Sequence, residues 1–163
     1  MKKKSPLETV PVVILCGGMG TRLSEQTEVR PKPLVEIGTR PILWHIMKHY
    51  SGYGLKDFFL ALGYKGEMIK RYFLDFYALS RDFTISLHDG KVNDIRNNDF
   101  EQWQVHLVDT GEKTLTGGRL KKLEPMLSKG TFMMTYGDGV CDVDLHKLLD
   151  FHYSHNGLVT LTA

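Results

Sequence analysis

The run Leu15-Cys16-Gly17-Gly18-Met19-Gly20-Thr21-Arg22-Leu23 constrains this chain more than any other stretch. An apolar segment, Val10 to Cys16, leads straight into it and reads as a buried strand in spite of Pro11 near its start. Three glycines let the backbone approach a ligand closely, and successive backbone N–H groups can form an anion-binding nest. Arg22 brings a planar fork of donors suited to phosphate, and Lys32, inside Arg30-Pro31-Lys32-Pro33, adds a second cation further on. A polyphosphate site needs these parts. Two common phosphate motifs do not fit. Nothing supplies the Gly-Lys-Ser/Thr of a P-loop, and Leu23 stands where a dinucleotide fingerprint has its last glycine.

The chain has 163 residues, enough for one domain of ordinary size. Hydrophobic residues make up 42% and charged residues 25%, the composition of a soluble globular protein. A formal charge of +2 is too small to argue for nucleic acid, and phosphate-binding cations in one cleft explain the lean. No apolar run is long enough to span a membrane. Met1-Lys2-Lys3-Lys4 imitates the start of a signal peptide, but the next apolar stretch is short and ends in the glycine loop. Residues 1–9 therefore read as a short tail, 10–163 as the domain, and the protein as cytoplasmic. Cys16 and Cys141 are too few and too far apart for a disulfide framework.

Strand-like and helix-like stretches alternate, which predicts an α/β fold of Rossmann-like type: a mixed, mostly parallel sheet with flanking helices. Strands are expected at Val10–Cys16, Asp57–Leu62, Phe83–Leu87, Val105–Val108 and Thr131–Thr135, with a last one at Leu158–Thr162. Helices are expected at Pro41–Ser51, Glu67–Leu79, Gly117–Ser128 and Leu145 to about His155, the last with Asp144 as N-cap. Asp89 to Asp99 is polar and rich in asparagine and reads as a mobile loop. A sheet that stops on a bare strand leaves an edge normally covered or paired, so the chain reads as an apparently truncated first part of a longer domain.

Two further clusters carry chemistry. Tyr136-Gly137-Asp138-Gly139 follows an apolar strand, and ligands of open α/β sheets sit beyond the carboxyl ends of the strands. A lone carboxylate there, with water and phosphate oxygens, suits Mg²⁺; an ordinary Asp-Gly turn is the competing reading. Val108-Asp109-Thr110-Gly111 precedes Thr114-Leu115-Thr116-Gly117-Gly118-Arg119. Glycines before an arginine at a helix start can bring N–H groups and a guanidinium to a base or phosphate, or can simply cap a helix. His45 and His49, at i and i+4, have no third ligand nearby, and the stripe Tyr72, Phe73, Phe76, Tyr77 fits core or contact surface better than a ligand site.

These segments together resemble the sugar-nucleotide pyrophosphorylases, and within that nucleotidyltransferase family the glucose-1-phosphate cytidylyltransferases. The resemblance runs from about Val12 to the last residue. It includes Pro31-Lys32-Pro33-Leu34-Val35-Glu36, Pro41-Ile42-Leu43-Trp44-His45, Gly63-Tyr64-Lys65-Gly66, Thr116-Gly117-Gly118-Arg119 and Thr135-Tyr136-Gly137-Asp138-Gly139. It implies transfer from CTP to α-D-glucose 1-phosphate, giving CDP-glucose and pyrophosphate for surface-polysaccharide dideoxysugar synthesis. By resemblance, Leu15, Cys16, Gly17, Gly18 and Met19 hold the nucleotide, and Gly20, Thr21 and Arg22 contact the triphosphate. Lys32 neutralises phosphate at the reacting centre. Thr114, Arg119 and Gly137 contact the nucleotide, and Asp138 binds Mg²⁺, so that Arg22, Lys32 and Asp138 are the catalytic set. The family also implies a homo-oligomer at full length, and a later segment that supplies a second metal-binding aspartate and much of the sugar pocket. A relative using dTTP, UTP or GTP, and a non-catalytic nucleotide-binding module, stand as alternatives.

Overall fold

Strand β1 (Val12–Cys16) is apolar and buried at every position. A strand with no polar side to offer water needs cover on both faces, and that is the situation of an inner strand in a parallel sheet. The computed structural model describes residues 10–18, 30–80, 82–94, 101–127 and 130–163. The tail at 1–9 lies outside them.

After β1 the described chain resumes ahead of a short 3-10 turn at Lys32–Leu34 and a small antiparallel ribbon of β2 (Glu36–Ile37) and β3 (Arg40–Pro41). The chain continues through α1 (Ile42–Gly52), β4 (Asp57–Leu62) and α2 (Gly66–Leu79). A second ribbon comes next, β5 (Phe83–Ile85) with β6 (Val92–Asp94), then β7 (Gln104–Asp109) and α3 (Thr116–Leu123). The last described elements are β8 (Met133–Tyr136) and α4 (Leu145–Ser154).

Four strands form the main sheet in the order β7-β4-β1-β8, all parallel. Val12 of β1 stands opposite Phe58 of β4 and Met133 of β8, and Leu62 of β4 opposite Asp109 of β7. Alternate residues of β1 feed two cores. Val12, Ile14 and Cys16 join Phe58, Leu60 and Leu62 beneath α1 (Leu43, Ile46, Met47), α2 (Ile69) and α4 (Leu145, Leu149). Val13 and Leu15 join Phe59 and Ala61 on the other face, covered by Leu123 and Leu120 of α3. The change of face and direction comes after β7: the chain leaves one edge, crosses under the sheet through α3 and returns beside β1. That places a topological switch between β1 and β8.

The structure agrees with the expected α/β architecture and differs in detail, beginning with the unexpected ribbon of β2 and β3. Leu158–Thr162 is not a strand, and Leu158, Val159 and Leu161 are exposed. β8 leaves one edge of the main sheet open, but this segment does not pair with it. Instead the rings of His152 and His155 lie 2.9 and 2.8 Å from Thr160 Oγ1 and tie the segment to α4. Within the segment read as a loop, β6 forms because Gly90 takes a left-handed φ of 71° and the Asp89 carboxylate accepts from the Lys91 amide, 3.3 Å, which turns the chain back onto β5. The remainder of that segment, 95–99, lies outside the described residues. Finally, α3 closes at Leu123, two residues before Pro125; Glu124 still has helical angles (φ −47°, ψ −43°), and Pro125 has no N–H with which to continue the ladder. Pro41 and Asp144 both stand at N-caps, and the Asp144 carboxylate accepts from the Lys147 amide, 3.1 Å.

Because Ile14 sits at the centre of this sheet, Ile14→Val should cost about 1 kcal/mol in urea unfolding. Val159→Ala, on the exposed segment, should change stability by no more than about 0.5 kcal/mol. Equal effects would mean that the segment packs like core.

Candidate active site

Parallel strands deliver their loops to one end of the sheet, and the crevice at a switch point is where such sheets hold ligands. Here Gly17 and Gly18 leave β1, and Gly137-Asp138-Gly139 leaves β8, side by side. The Gly137 amide donates to the Leu15 carbonyl, 3.0 Å, which extends the pairing into the loops. A Cβ on Gly137 would meet Cys16 Sγ and the Leu15 oxygen at 3.0 Å and Pro33 Cγ at 3.1 Å. The close approach therefore requires glycine. It also shows what Pro31 and Pro33 do. They fix the backbone around Lys32, and Pro33 is buried against the end of β8. Lys32 Nζ is thereby held 3.6 Å from Asp138 Oδ2, with the lysine side chain mostly covered and the carboxylate half exposed. Two residues expected at the reacting centre, far apart in sequence, meet across the crevice.

Arg119 lies beneath the glycine loop. It is 5% exposed, one of two buried polar residues among those described; the other is Thr110. Nη1 donates to the Leu62 carbonyl at 2.8 Å and to Thr110 Oγ1 at 2.6 Å. Nη2 donates to the carbonyls of Gly17 at 2.9 Å and Glu112 at 3.2 Å. Burial pushes the guanidinium pKa down, and the nearby Asp109 opposes that shift. The side chain fits only because Gly17 and Gly63 lack Cβ atoms; one placed on Gly63 would lie 2.6 Å from Nη1. Thr110 also donates to the Leu62 carbonyl, 2.6 Å, and Lys122 Nζ donates to the Thr110 carbonyl, 3.0 Å. Sequence reasoning did not single out Thr110, Gly63 or Lys122 for this arrangement. The available signal was a glycine directly after each of two buried strands, at Gly17 and Gly63.

Of the other expected residues, Leu15 and Cys16 are buried in the last turn of β1. Burial first, and the Asp138 charge second, push the Cys16 thiol far up, so it stays protonated. Thr114 stands at the loop ahead of α3, its amide 3.4 Å from the Gly111 carbonyl. Leu115 is the N-cap of α3 and makes no side-chain cap, so the amides around Gly117 and Gly118 start the helix without one. Met19, Gly20, Thr21 and Arg22 lie outside the described residues. No group of three or more His, Cys, Asp or Glu side chains that could hold a metal occurs among the described residues. His45 Nε2 lies 3.0 Å from the Ile37 carbonyl. Phe73 and Phe76, with Trp103 and Glu101, line a cavity of about 290 Å³ between α2 and β7, at the other edge of the sheet from Asp138. No helix among the described residues is long and apolar enough to cross a membrane.

Gly137→Ala forces Cys16, Leu15 or Pro33 to give, and should destabilise the fold by about 1–3 kcal/mol while separating Lys32 from Asp138. Denaturant titration gives the first and loss of triphosphate binding the second. In the native protein a thiol reagent at neutral pH should label exposed Cys141 and spare Cys16, with Cys16 reacting only on unfolding. Rapid labelling of both in folded protein would contradict the buried environment of Cys16.

A family model described as nucleotidyl transferase matches residues 11–163. The glucose-1-phosphate cytidylyltransferase of Salmonella typhimurium (strain LT2) is 50% identical over 152 residues, which is 93% of this chain and 59% of that protein. The probable glucose-1-phosphate cytidylyltransferase of Bacillus subtilis (strain 168) is 45% identical, with the same coverage. The chain thus spans about three fifths of the length of these relatives. Among solved structures, HddC from Yersinia pseudotuberculosis, complexed with GMP-PN, superposes with a TM-score of 0.60 at 28% identity, over 88% of this chain and 54% of that one. With a parallel sheet of this order, a glycine loop on β1 and a lysine–aspartate pair across the switch point, the chain belongs to the nucleotidyl transferase family.

Proposed function

We propose that this chain is the nucleotide-binding part of a glucose-1-phosphate cytidylyltransferase, joining CTP and α-D-glucose 1-phosphate to give CDP-glucose and pyrophosphate. The observation that carries this reading is the 50% identity with the Salmonella typhimurium protein across almost the whole chain. In the reaction an oxygen of the sugar phosphate attacks the α-phosphorus of CTP. The bond from that phosphorus to the bridging oxygen breaks, and pyrophosphate leaves with the electron pair. Little covalent work falls to the protein. It must align two anions that repel each other and offset charge where it grows.

The loop from Leu15 through Arg22 is assigned to the nucleotide and its triphosphate, with Thr114 and Gly137 on the nucleotide. Lys32, held in the crevice at a fixed point, is assigned to the phosphate under attack. Its ammonium is a compact point charge and sits where it need not reorganise during the reaction. Asp138 presents hard carboxylate oxygens, half exposed at a strand end. A cation held there would draw further oxygens from phosphate, from water and, by the family resemblance, from an aspartate of a later segment, which suits Mg²⁺. Such an ion, held by Asp138, would supply charge neutralisation to the triphosphate. We place the complete protein in the cytoplasm, as a homo-oligomer serving dideoxysugar synthesis for surface polysaccharide.

CTP should raise the melting temperature of this protein more than UTP, ATP, GTP or dTTP at equal concentration. Equal protection by all five would leave phosphate binding standing and remove the cytidylyl assignment. In the complete reading frame, Lys32→Ala should lower CDP-glucose formation by roughly two orders of magnitude or more. Asp138→Asn should abolish the Mg²⁺-dependent activity with little change in ligand-free stability. A large loss of stability with the metal response intact would show that Asp138 serves only the turn.

A further inference from the structure

A cation buried without a carboxylate partner is costly unless every donor is satisfied. Among the described residues Arg119 has no ion pair, yet both terminal nitrogens of its guanidinium are fully used: two N–H donors each, and two acceptors each. The acceptors are not a random set. Gly17 follows β1, Leu62 ends β4, Thr110 follows β7, and Glu112 lies in the loop that leads to α3. One planar group therefore joins the carboxyl ends of three neighbouring parallel strands. It is clamped between the Cα atoms of Gly17 and Gly63, where no side chain could stand. The interaction with Gly17 bridges 102 residues of sequence.

We propose that Arg119 is a positioning residue: it fixes the Gly17 carbonyl, and with it the Gly17–Gly18 segment, against β4 and β7, so that the chain leaving β1 is pre-set for phosphate. This rests on the proposed nucleotide-binding role of the chain. Fixing the loop before the ligand arrives removes an ordering cost from binding. The effect is indifferent to the base, because the four donors on the terminal nitrogens are occupied by protein oxygens and the group acts through the loop. A lysine cannot substitute, since an ammonium lacks the flat fork that reaches opposite sides at once.

The test uses Arg119→Ala, Arg119→Lys, Thr110→Val and Gly63→Ala, with Thr110→Ser as the control that keeps the hydroxyl. Thr110→Val removes one acceptor, and Gly63→Ala puts a methyl where the guanidinium lies, so the arginine need not itself be changed. Hydrogen exchange of the ligand-free proteins is measured first. Arg119→Ala should exchange at least tenfold faster at Gly17–Gly18 and Thr110–Gly111 and unchanged in α4; Gly63→Ala should do the same, and Thr110→Ser should match the parent. Calorimetric titration with CTP and with inorganic tripolyphosphate comes second. The variants should lose affinity for both by the same factor, tenfold or more. Arg119→Lys should behave as Arg119→Ala, and added ethylguanidine should restore part of the loss in Arg119→Ala only. Loss of CTP affinity with tripolyphosphate unaffected would make Arg119 a base contact and overturn the proposal, as would unchanged exchange at Gly17–Gly18. Should Arg119→Ala fail to fold, Thr110→Val and Gly63→Ala decide by the same two criteria. Should the parent bind neither ligand, the functional reading fails, and the exchange data still decide whether Arg119 holds the loop.

Discussion

A strand buried on both faces can satisfy its backbone only by pairing along both edges, and β1 does so with β4 on one side and β8 on the other. Most of the architecture depends on this pairing. The two partners arrive by crossovers on opposite faces, which sets β8 beside β1 and brings the loops leaving both strands to one end of the sheet. Apolar packing of Val12 to Cys16 thus determines where polar chemistry can occur, although none of those side chains takes part in it.

The crevice brings together groups that would otherwise repel or ignore each other. In the proposed reaction a triphosphate and a sugar phosphate carry charge of one sign, and a cation between them must not drift. Lys32 is restrained by the turn that Pro31 and Pro33 impose, and by Asp138 across the gap. Charge of both signs is balanced within a few ångströms before any ligand enters.

Much of this was legible in the sequence, for reasons that differ by element. The continuous apolar run of β1 can hardly be anything but an inner strand. Helical spacing after Pro41 and the Asp144 cap are local signals, and the structure agrees with them. The ribbon of β2 and β3 was not legible, because strands of two residues carry no periodicity; only Gly38, with φ 66°, marks its turn. β6 was hidden because Lys91 to Asp94 is polar and its pairing depends on the Asp89 turn. Leu158 to Thr162 misled in the opposite way: it has strand composition, yet it is tied to α4 through Thr160 rather than paired along the open edge of β8. At the site, the pairing of Lys32 with Asp138 follows from strand order, which motifs alone do not reveal. Arg119 was visible as a cation near a helix start. Whether a long side chain turns toward a ligand or back beneath a loop depends on room, and the room was made by two glycines in other elements.

Those two glycines and the arginine form one steric unit drawn from three parts of the chain. Substitutions among neighbours in contact are not additive. A methyl group on Gly63 collides while Arg119 is long, and becomes filler once that side chain is short. Any mutational path that replaces the arrangement must therefore cross a worse intermediate, whichever position changes first. Libraries that vary Gly17, Gly63 and Arg119 one at a time will find only losses. Alternative solutions, where a shorter residue at 119 meets a side chain at 63, are reachable only when the positions are varied together.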